Sequence, residues 1–277
     1  MSDIFETHAH YDDEAFDGDR EELLQSLPEQ GIGRIVNIGA SLTSCEKTIE
    51  LMDKYPFVFG ALGIHPCDTD QLMEETFTWL EEACMHPKCV AVGEIGLDYY
   101  WDEPDREIQK NWFVRQMELA RKIGKPVVIH SREAAKDTLD IMHAVKAEEI
   151  GGVVHCYSYT KETAREVLDM GFYIGIGGVL TFSNAKKLKE AAQYIPMDKI
   201  VLETDCPYLA PVPNRGKRND STNLKYVVAE LAKIKGITEE EVRSITWENA
   251  VKLYRMKNYG QGNGRILNIE IFTKTGD

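Results

Sequence analysis

The sequence predicts an α/β protein, a distorted (β/α)8 TIM barrel in a single domain with extra C-terminal helices. Two observations carry that expectation. Eight short β-branched runs recur along the 277 residues, most of them followed by a longer amphipathic stretch, and this number of units fits a barrel of that length. The runs are also continuously apolar rather than alternating, as parallel strands buried on both faces are. A doubly wound open sheet is the competing architecture. It would place a glycine-rich fingerprint after its first strand, where this chain reads Glu6-Thr7-His8-Ala9-His10.

Taken in order, strands are expected at 3–6, 34–38, 58–62, 90–93, 126–129, 152–154, 172–176 and 199–202. Helical periodicity fills the intervals at 20–30, 44–54, 77–85, 105–123, 132–145, 161–170 and 184–194, with two further helices at 225–235 and 239–257. Punctuation supports the divisions. Lys122-Ile123-Gly124-Lys125-Pro126 reads as a glycine helix stop running into a strand start. No change of composition marks a second domain, so residues 1–258 form the expected barrel. The loose Tyr259-Gly260-Gln261-Gly262-Asn263-Gly264 opens a segment 259–277 whose Ile266, Ile269, Ile271 and Phe272 suit a tail or an appended edge strand.

Hydrophobic residues at 43% and charged ones at 28% exclude a disordered chain. No apolar run is long enough to cross a bilayer. The start, MSDIFETHAH, has neither the basic nor the apolar region of a signal peptide, so a cytoplasmic protein with no membrane contact is expected. Cys45, Cys67, Cys84, Cys89, Cys156 and Cys206 are scattered without a CxxC pair, which favours reduced thiols. A net charge of −14, from 46 acidic and 32 basic residues, argues against a broad basic face for nucleic acid. It leaves room for an enzyme that meets phosphate through cations and a few local arginines or lysines.

Catalytic groups of a barrel gather where its strands end at the C-terminal face. Five of the seven histidines fall there: His8 and His10 after the first strand, His65 after the third, His130 after the fifth and His155 after the sixth. Glu94 ends the fourth, and Glu203 and Asp205 follow the eighth. Alternate residues of a strand share a side, so His8 and His10 point together, as do Glu203 and Asp205. Imidazole with carboxylate suits a divalent ion such as zinc or manganese, and so many polar groups on one rim are costly to bury unless ions pair them. His86 and His143 lie in helical stretches and are expected to be solvated or packed.

The motifs together resemble the TatD-related DNase family of metal-dependent hydrolases, within the amidohydrolase-like barrels. The matching segments are Glu6-Thr7-His8-Ala9-His10, Gly63-Ile64-His65-Pro66, Gly93-Glu94-Ile95-Gly96-Leu97-Asp98-Tyr99-Tyr100, His130-Ser131-Arg132, His155-Cys156-Tyr157-Ser158, Glu203-Thr204-Asp205-Cys206-Pro207-Tyr208-Leu209 and Arg215-Gly216-Lys217-Arg218-Asn219. The resemblance implies two divalent ions per chain, zinc, manganese or magnesium. One would take His8, His10 and Asp205, the other His130 and His155, with Glu94 bridging. It implies a deoxyribonuclease acting as a 3′–5′ exonuclease on single-stranded DNA, with Asp205 as general base and no obligate protein partner. An amidohydrolase-like enzyme on a small amide, lactone or phosphoester keeps the same centre. A noncatalytic metal-bound interaction module is the remaining alternative.

Further residues have claims of their own. Glu203 is expected to orient a ligand or the water, or else to pair with a cation. His65 would touch phosphate or the leaving oxygen, or fix a loop. Arg132 would clamp phosphate or pair with a neighbouring acid. Tyr99, with Tyr100 and Trp101, would stack bases or simply pack. Arg215, Lys217 and Arg218 form the one dense cationic loop, for substrate or for solvent. Cys156 and Cys206 are expected to point away from the ligands. Three departures from the family pattern bear on substrate preference: Glu6 for aspartate, Tyr159 for glycine and Ser221 for proline.

Overall fold

The computed structural model describes residues 3–256; the segment 259–277 lies outside them. Eight parallel strands run in sequence order around one sheet: β1 Ile4–Ala9, β2 Ile32–Ile38, β3 Val58–Leu62, β4 Cys89–Asp98, β5 Val127–Arg132, β6 Gly152–Val154, β7 Tyr173–Ile176 and β8 Ile200–Leu202. The helices between them are α1 Arg20–Ser26, α2 Leu42–Lys54, α3 Glu74–Ala83, α4 Arg106–Ile123, α5 Ala135–Ala144, α6 Lys161–Asp169 and α7 Lys186–Tyr194, followed by α8 Leu224–Lys235 and α9 Glu239–Leu253. This is the expected (β/α)8 barrel. No helix among the described residues is long and apolar enough to cross a membrane.

Local chemistry sets the boundaries. Ser41 Oγ accepts from the Ser44 amide at the start of α2, and Asp105 caps α4 through the Glu107 amide, each satisfying an otherwise orphan donor. Thr238 and Glu241 form a reciprocal capping box on α9, and Gly124 ends α4 in the left-handed region at φ 71°. The stretch 20–30 is not one helix. Pro28 has no amide hydrogen to continue it, so α1 stops at Ser26 and a 3-10 turn spans Pro28–Gln30.

Two apolar layers hold the barrel. One lies between strands and helices and includes Ile35, Val92, Ile129, Leu202, Phe113 and Leu231. The other consists of the intervening strand residues, Phe5, Val36, Phe59, Val90, Val128, Val153 and Val201, together with Leu253 of α9 and Tyr254 just after it. It fills the interior, and α9 plugs its lower end, with Trp247 packing on Phe5 at 5.4 Å between ring centroids. The Arg34 guanidinium lies over Trp247, Phe5 and Phe59 at 5.3–6.0 Å.

The distortion is at the seam. β1 and β8 share no regular ladder; they meet through a bridge between Ala9 and Cys206, with Asp205 donating to the His8 carbonyl and His10 to the Cys206 carbonyl. Strand lengths also differ from expectation. β1, β4 and β5 run on through His8, Glu94, Asp98, His130 and Arg132, and α5 therefore begins at Ala135 rather than 132. β6 and β8 end where expected, at Val154 and Leu202, leaving His155, Glu203 and Asp205 on the loops just beyond them.

Candidate metal centre

Six of the side chains expected to be ligands converge at the C-terminal mouth. His8 Nε2 and His10 Nε2 stand 3.2 Å apart, and His130 Nδ1 and His155 Nε2 stand 3.2 Å apart. Glu94 lies between the two pairs. Its Oε2 faces His8 and His10 at 3.4 and 3.7 Å, and its Oε1 faces His130 and His155 at 2.8 and 2.6 Å. Asp205 Oδ1 lies 3.3 Å from His10 and 3.6 Å from His8. Glu94 reaches this position because β4 and β5 approach closely at Gly96, where a Cβ would sit 1.9 Å from the His130 carbonyl oxygen.

The outer nitrogens fix two of the tautomers. His10 Nδ1 donates to the Ile38 carbonyl at 3.0 Å, and His130 Nε2 donates to Asp98 Oδ2 at 3.0 Å. Each ring therefore turns a lone pair inward, toward another imidazole nitrogen. Such a contact between two nitrogens needs a shared proton or a cation. Nitrogen and carboxylate donors in this number are what a divalent transition ion takes, so the residues fit the metal. Among the described residues, His8 with His10 and Glu94, and His8 with His155 and Asp205, each bring their ligand atoms within 4.8 Å of one another.

Burial and mutual charge set the protonation of the metal-free cluster. Burial pushes His8 down to about 4, with His155 adding to the effect. Burial also opposes charge on His10, yet Asp205 beside it holds it up at about 10. Asp205 resists the upward pull of burial and sits well below the usual carboxylate range because His10, His8 and His155 surround it. Removing the ions thus leaves protons shared among these groups in their place.

Glu203 does not face the cleft. It is buried behind His155, accepts from the Cys156 amide through Oε1, and lies 3.9 Å from His155 Nδ1. His155 Nδ1 and Glu203 Oε2 both lack a hydrogen-bond partner. Gly175 makes room for the carboxylate, since a Cβ there would lie 2.2 Å from Oε2. Burial raises Glu203 to about 7. The geometry suits a group that orients His155, which sets the tautomer of a ligand in the usual way.

His65 lies at the rim with Nε2 3.9 Å from Glu94 Oε1, and its Nδ1 accepts from the Cys67 amide at 3.2 Å. Burial, with His130 nearby, holds it down at about 3, so the ring is neutral and its proton sits on Nε2. That nitrogen is a donor aimed at the centre, which suits contact with an oxygen better than ligation.

One group, Asp98, was not singled out by the sequence reading. Asp98 holds His130, and its Oδ1 accepts from the amides of Tyr100 and Trp101 at 2.9 and 3.1 Å. The signal was present: Glu94, Gly96 and Asp98 occupy alternate positions of one strand. Glu6 crosses the seam, accepting from the His8 and Thr204 amides and from Thr204 Oγ1; burial raises it to about 8.

The mouth opens into a cleft of about 820 Å³ lined by the centre and by Asp12, Asp13, Asp68, Trp101, Arg132 and Tyr208 among others. Cys156 also lines it, contrary to expectation, and φ at that residue is 45°. Its thiol is pushed well up by burial and by Asp205, Glu203 and Glu94, so it is protonated and no nucleophile. Tyr99 is not among the lining residues. Its hydroxyl donates to Asp137 at 2.7 Å and Arg106 covers its ring at 4.0 Å. The cationic loop is also outside: Arg215 stacks on Phe182, while Lys217 and Arg218 border a neighbouring shallow depression with Asp13, Glu14, Asp17 and Tyr208. Arg218 forks onto Asp19 at 2.6 and 2.7 Å. Tyr159 donates no bulk to the cleft lining; its hydroxyl ties Ser131 to the Ala134 amide. Ser221 is buried against the Tyr11 hydroxyl at 2.7 Å.

A family model described as TatD related DNase matches residues 5–255. An uncharacterized metal-dependent hydrolase of Bacillus subtilis, YabD, is 42% identical over 91% of this chain and 99% of its own length. YcfH of Escherichia coli, likewise described as an uncharacterized metal-dependent hydrolase, is 33% identical over 91% and 96%. The crystal structure of YjjV, a TatD homolog from Escherichia coli, superposes with a TM-score of 0.85 at 28% identity, covering 90% of this chain and 97% of that one.

Proposed function

Because the chain belongs to the TatD-related DNase family of metal-dependent hydrolases, we propose that it hydrolyses phosphodiester bonds of single-stranded DNA, as a 3′–5′ exonuclease. The observation that carries this reading is the pairing of inward nitrogens, His8 with His10 and His130 with His155, each pair facing a different oxygen of Glu94. His8, His10 and Asp205 would hold one divalent ion and His130 and His155 a second, with Glu94 offering an oxygen to each group. When bound, the ions supply Lewis acidity to water and to the phosphoryl oxygens.

The protein's own groups do the rest. Asp205 accepts the proton of the attacking water as general base. His65 donates from Nε2 to a phosphoryl or leaving oxygen. Glu203 and Asp98 orient His155 and His130. Arg132 is the one lysine or arginine among the described residues that lines the cleft, and its planar guanidinium contacts phosphate. Arg215 and Lys217 lie farther along the surface and suit a longer strand rather than the scissile nucleotide, whereas Arg218 is tied to Asp19.

A second reading has an observation in its favour. Asp12, Asp13 and Asp68 line the same cleft, and the whole chain carries −14, which eases entry of a small neutral lactone, amide or phosphoester. One experiment separates the two. Metal content is measured on protein purified without added metal. Turnover is then followed on 3′- and 5′-labelled single strands and on a lactone and amide panel, with manganese or magnesium. Metal-dependent loss of the 3′ label supports the nuclease; turnover confined to the small-molecule panel replaces it.

A further inference from the structure

The loop after β4 carries a feature that the hydrolytic centre does not use. Trp101 lines the cleft yet is 64% exposed, an apolar face left in water beside a site built for an anion. Its neighbours hold it there. Tyr100 meets Trp101 edge-on at 5.1 Å and 86°, and the Arg132 guanidinium lies on the Tyr100 ring at 3.8 Å. No carboxylate pairs with Arg132 among the described residues. The three side chains therefore form a rack with a free cation at one end and a free indole face at the other.

One carboxylate anchors that rack to the chemistry. Asp98 Oδ1 accepts from the amides of Tyr100 and Trp101, while Oδ2 holds His130. We infer that Trp101 is a nucleobase-stacking subsite, set in register with the metal centre by Asp98 and paired with Arg132 as the contact for an adjoining phosphate. The inference rests on the nucleic-acid reading above and names the part of the substrate that this wall recognises. A π-face accepts any base, so the subsite confers preference for unpaired bases rather than for a sequence. A base still stacked in a duplex cannot offer that face without being pulled out, and this favours single strands.

The decisive measurement is a cycle between the residue and the base. Equilibrium binding of a labelled phosphorothioate strand, which resists cleavage, is compared with that of the same backbone made of abasic tetrahydrofuran units, for wild type and Trp101→Ala in the metal-loaded protein. One stacked base is worth roughly tenfold in affinity. Removing the bases should therefore cost the wild type about tenfold more than it costs Trp101→Ala, while Trp101→Phe keeps most of the wild-type penalty. Equal penalties in wild type and Trp101→Ala, or no penalty in the wild type, overturn the subsite. Binding that shows the expected cycle without any cleavage of a phosphodiester strand leaves the subsite standing and removes the nuclease instead.

Discussion

At the lower end of the barrel, Phe5, Val36, Phe59, Val128 and Val201 pack against Trp247 of α9 and Tyr254 just after it. At the upper end, residues a few positions farther along the same strands are His8, Glu94, His130 and, just past β6 and β8, His155 and Glu203. One end contributes folding free energy by removing apolar surface from water. The other buries imidazoles and carboxylates that cost desolvation and recover it fully only with ions in place. The inward-facing residues of the strands thus serve stability below and chemistry above, in keeping with the division of labour in barrels.

The comparison is broken most directly by substitutions at the upper end. Asp205→Asn is expected to lower turnover of single-stranded DNA by about 10²–10⁴, the usual worth of a positioned general base. Melting of the chelated protein should fall only modestly, because His10 loses its anionic partner but can shed its proton. A large fall in melting temperature would mean that the centre also carries the fold.

The reverse pattern belongs to the lower end. Phe5→Ala removes a ring that is 2% exposed and should cost about 3–5 kcal/mol in denaturant titration. Turnover per folded molecule should be retained.

Asp98→Asn sharpens the contrast, since Asp98 lies between the two regimes in effect. Weakening its bond to His130 is expected to reduce metal affinity about 10–100-fold, read by competition with a chelator, with little change in fold. The smallest effect concerns Glu6. Burial holds this carboxyl up at about 8 against an ordinary 4.5, so the folded chain keeps a proton that the unfolded chain releases. That stabilising contribution is complete below pH 4.5 and is lost as the pH rises toward 8. In metal-free protein, Glu6→Gln should flatten the decline of stability across this window, measured by urea titration at several pH values.

The fold was legible because its strands are apolar on both faces. β3 and β6 match the expected 58–62 and 152–154, and the other strands are found in the right order. Errors cluster where that criterion fails. β4 was expected to stop at 93, before Glu94, yet it continues to Asp98, because the inward positions become polar while Ile95 and Leu97 keep the outward face apolar. That six imidazoles and carboxylates would meet at one mouth was readable from strand ends and their spacing. The roles of Tyr99 and Arg218 were not, because a partner elsewhere in the chain, Arg106 or Asp19, decides whether an aromatic or a cation remains free. Asp98 was hidden by the same premature strand end.

The seam would give metal binding a further consequence. Thr7 and Leu202, joined by a hydrogen bond across it, are 195 residues apart in sequence. Closing so long a loop carries a large entropic cost. A cation held by both His8 and Asp205 would then be a reversible cross-link between the first strand and the loop after the last, the clasp of the ring. Chelation should accordingly loosen β1 before any other strand, so protease nicking or amide exchange of residues 4–9 would report metal occupancy without any substrate.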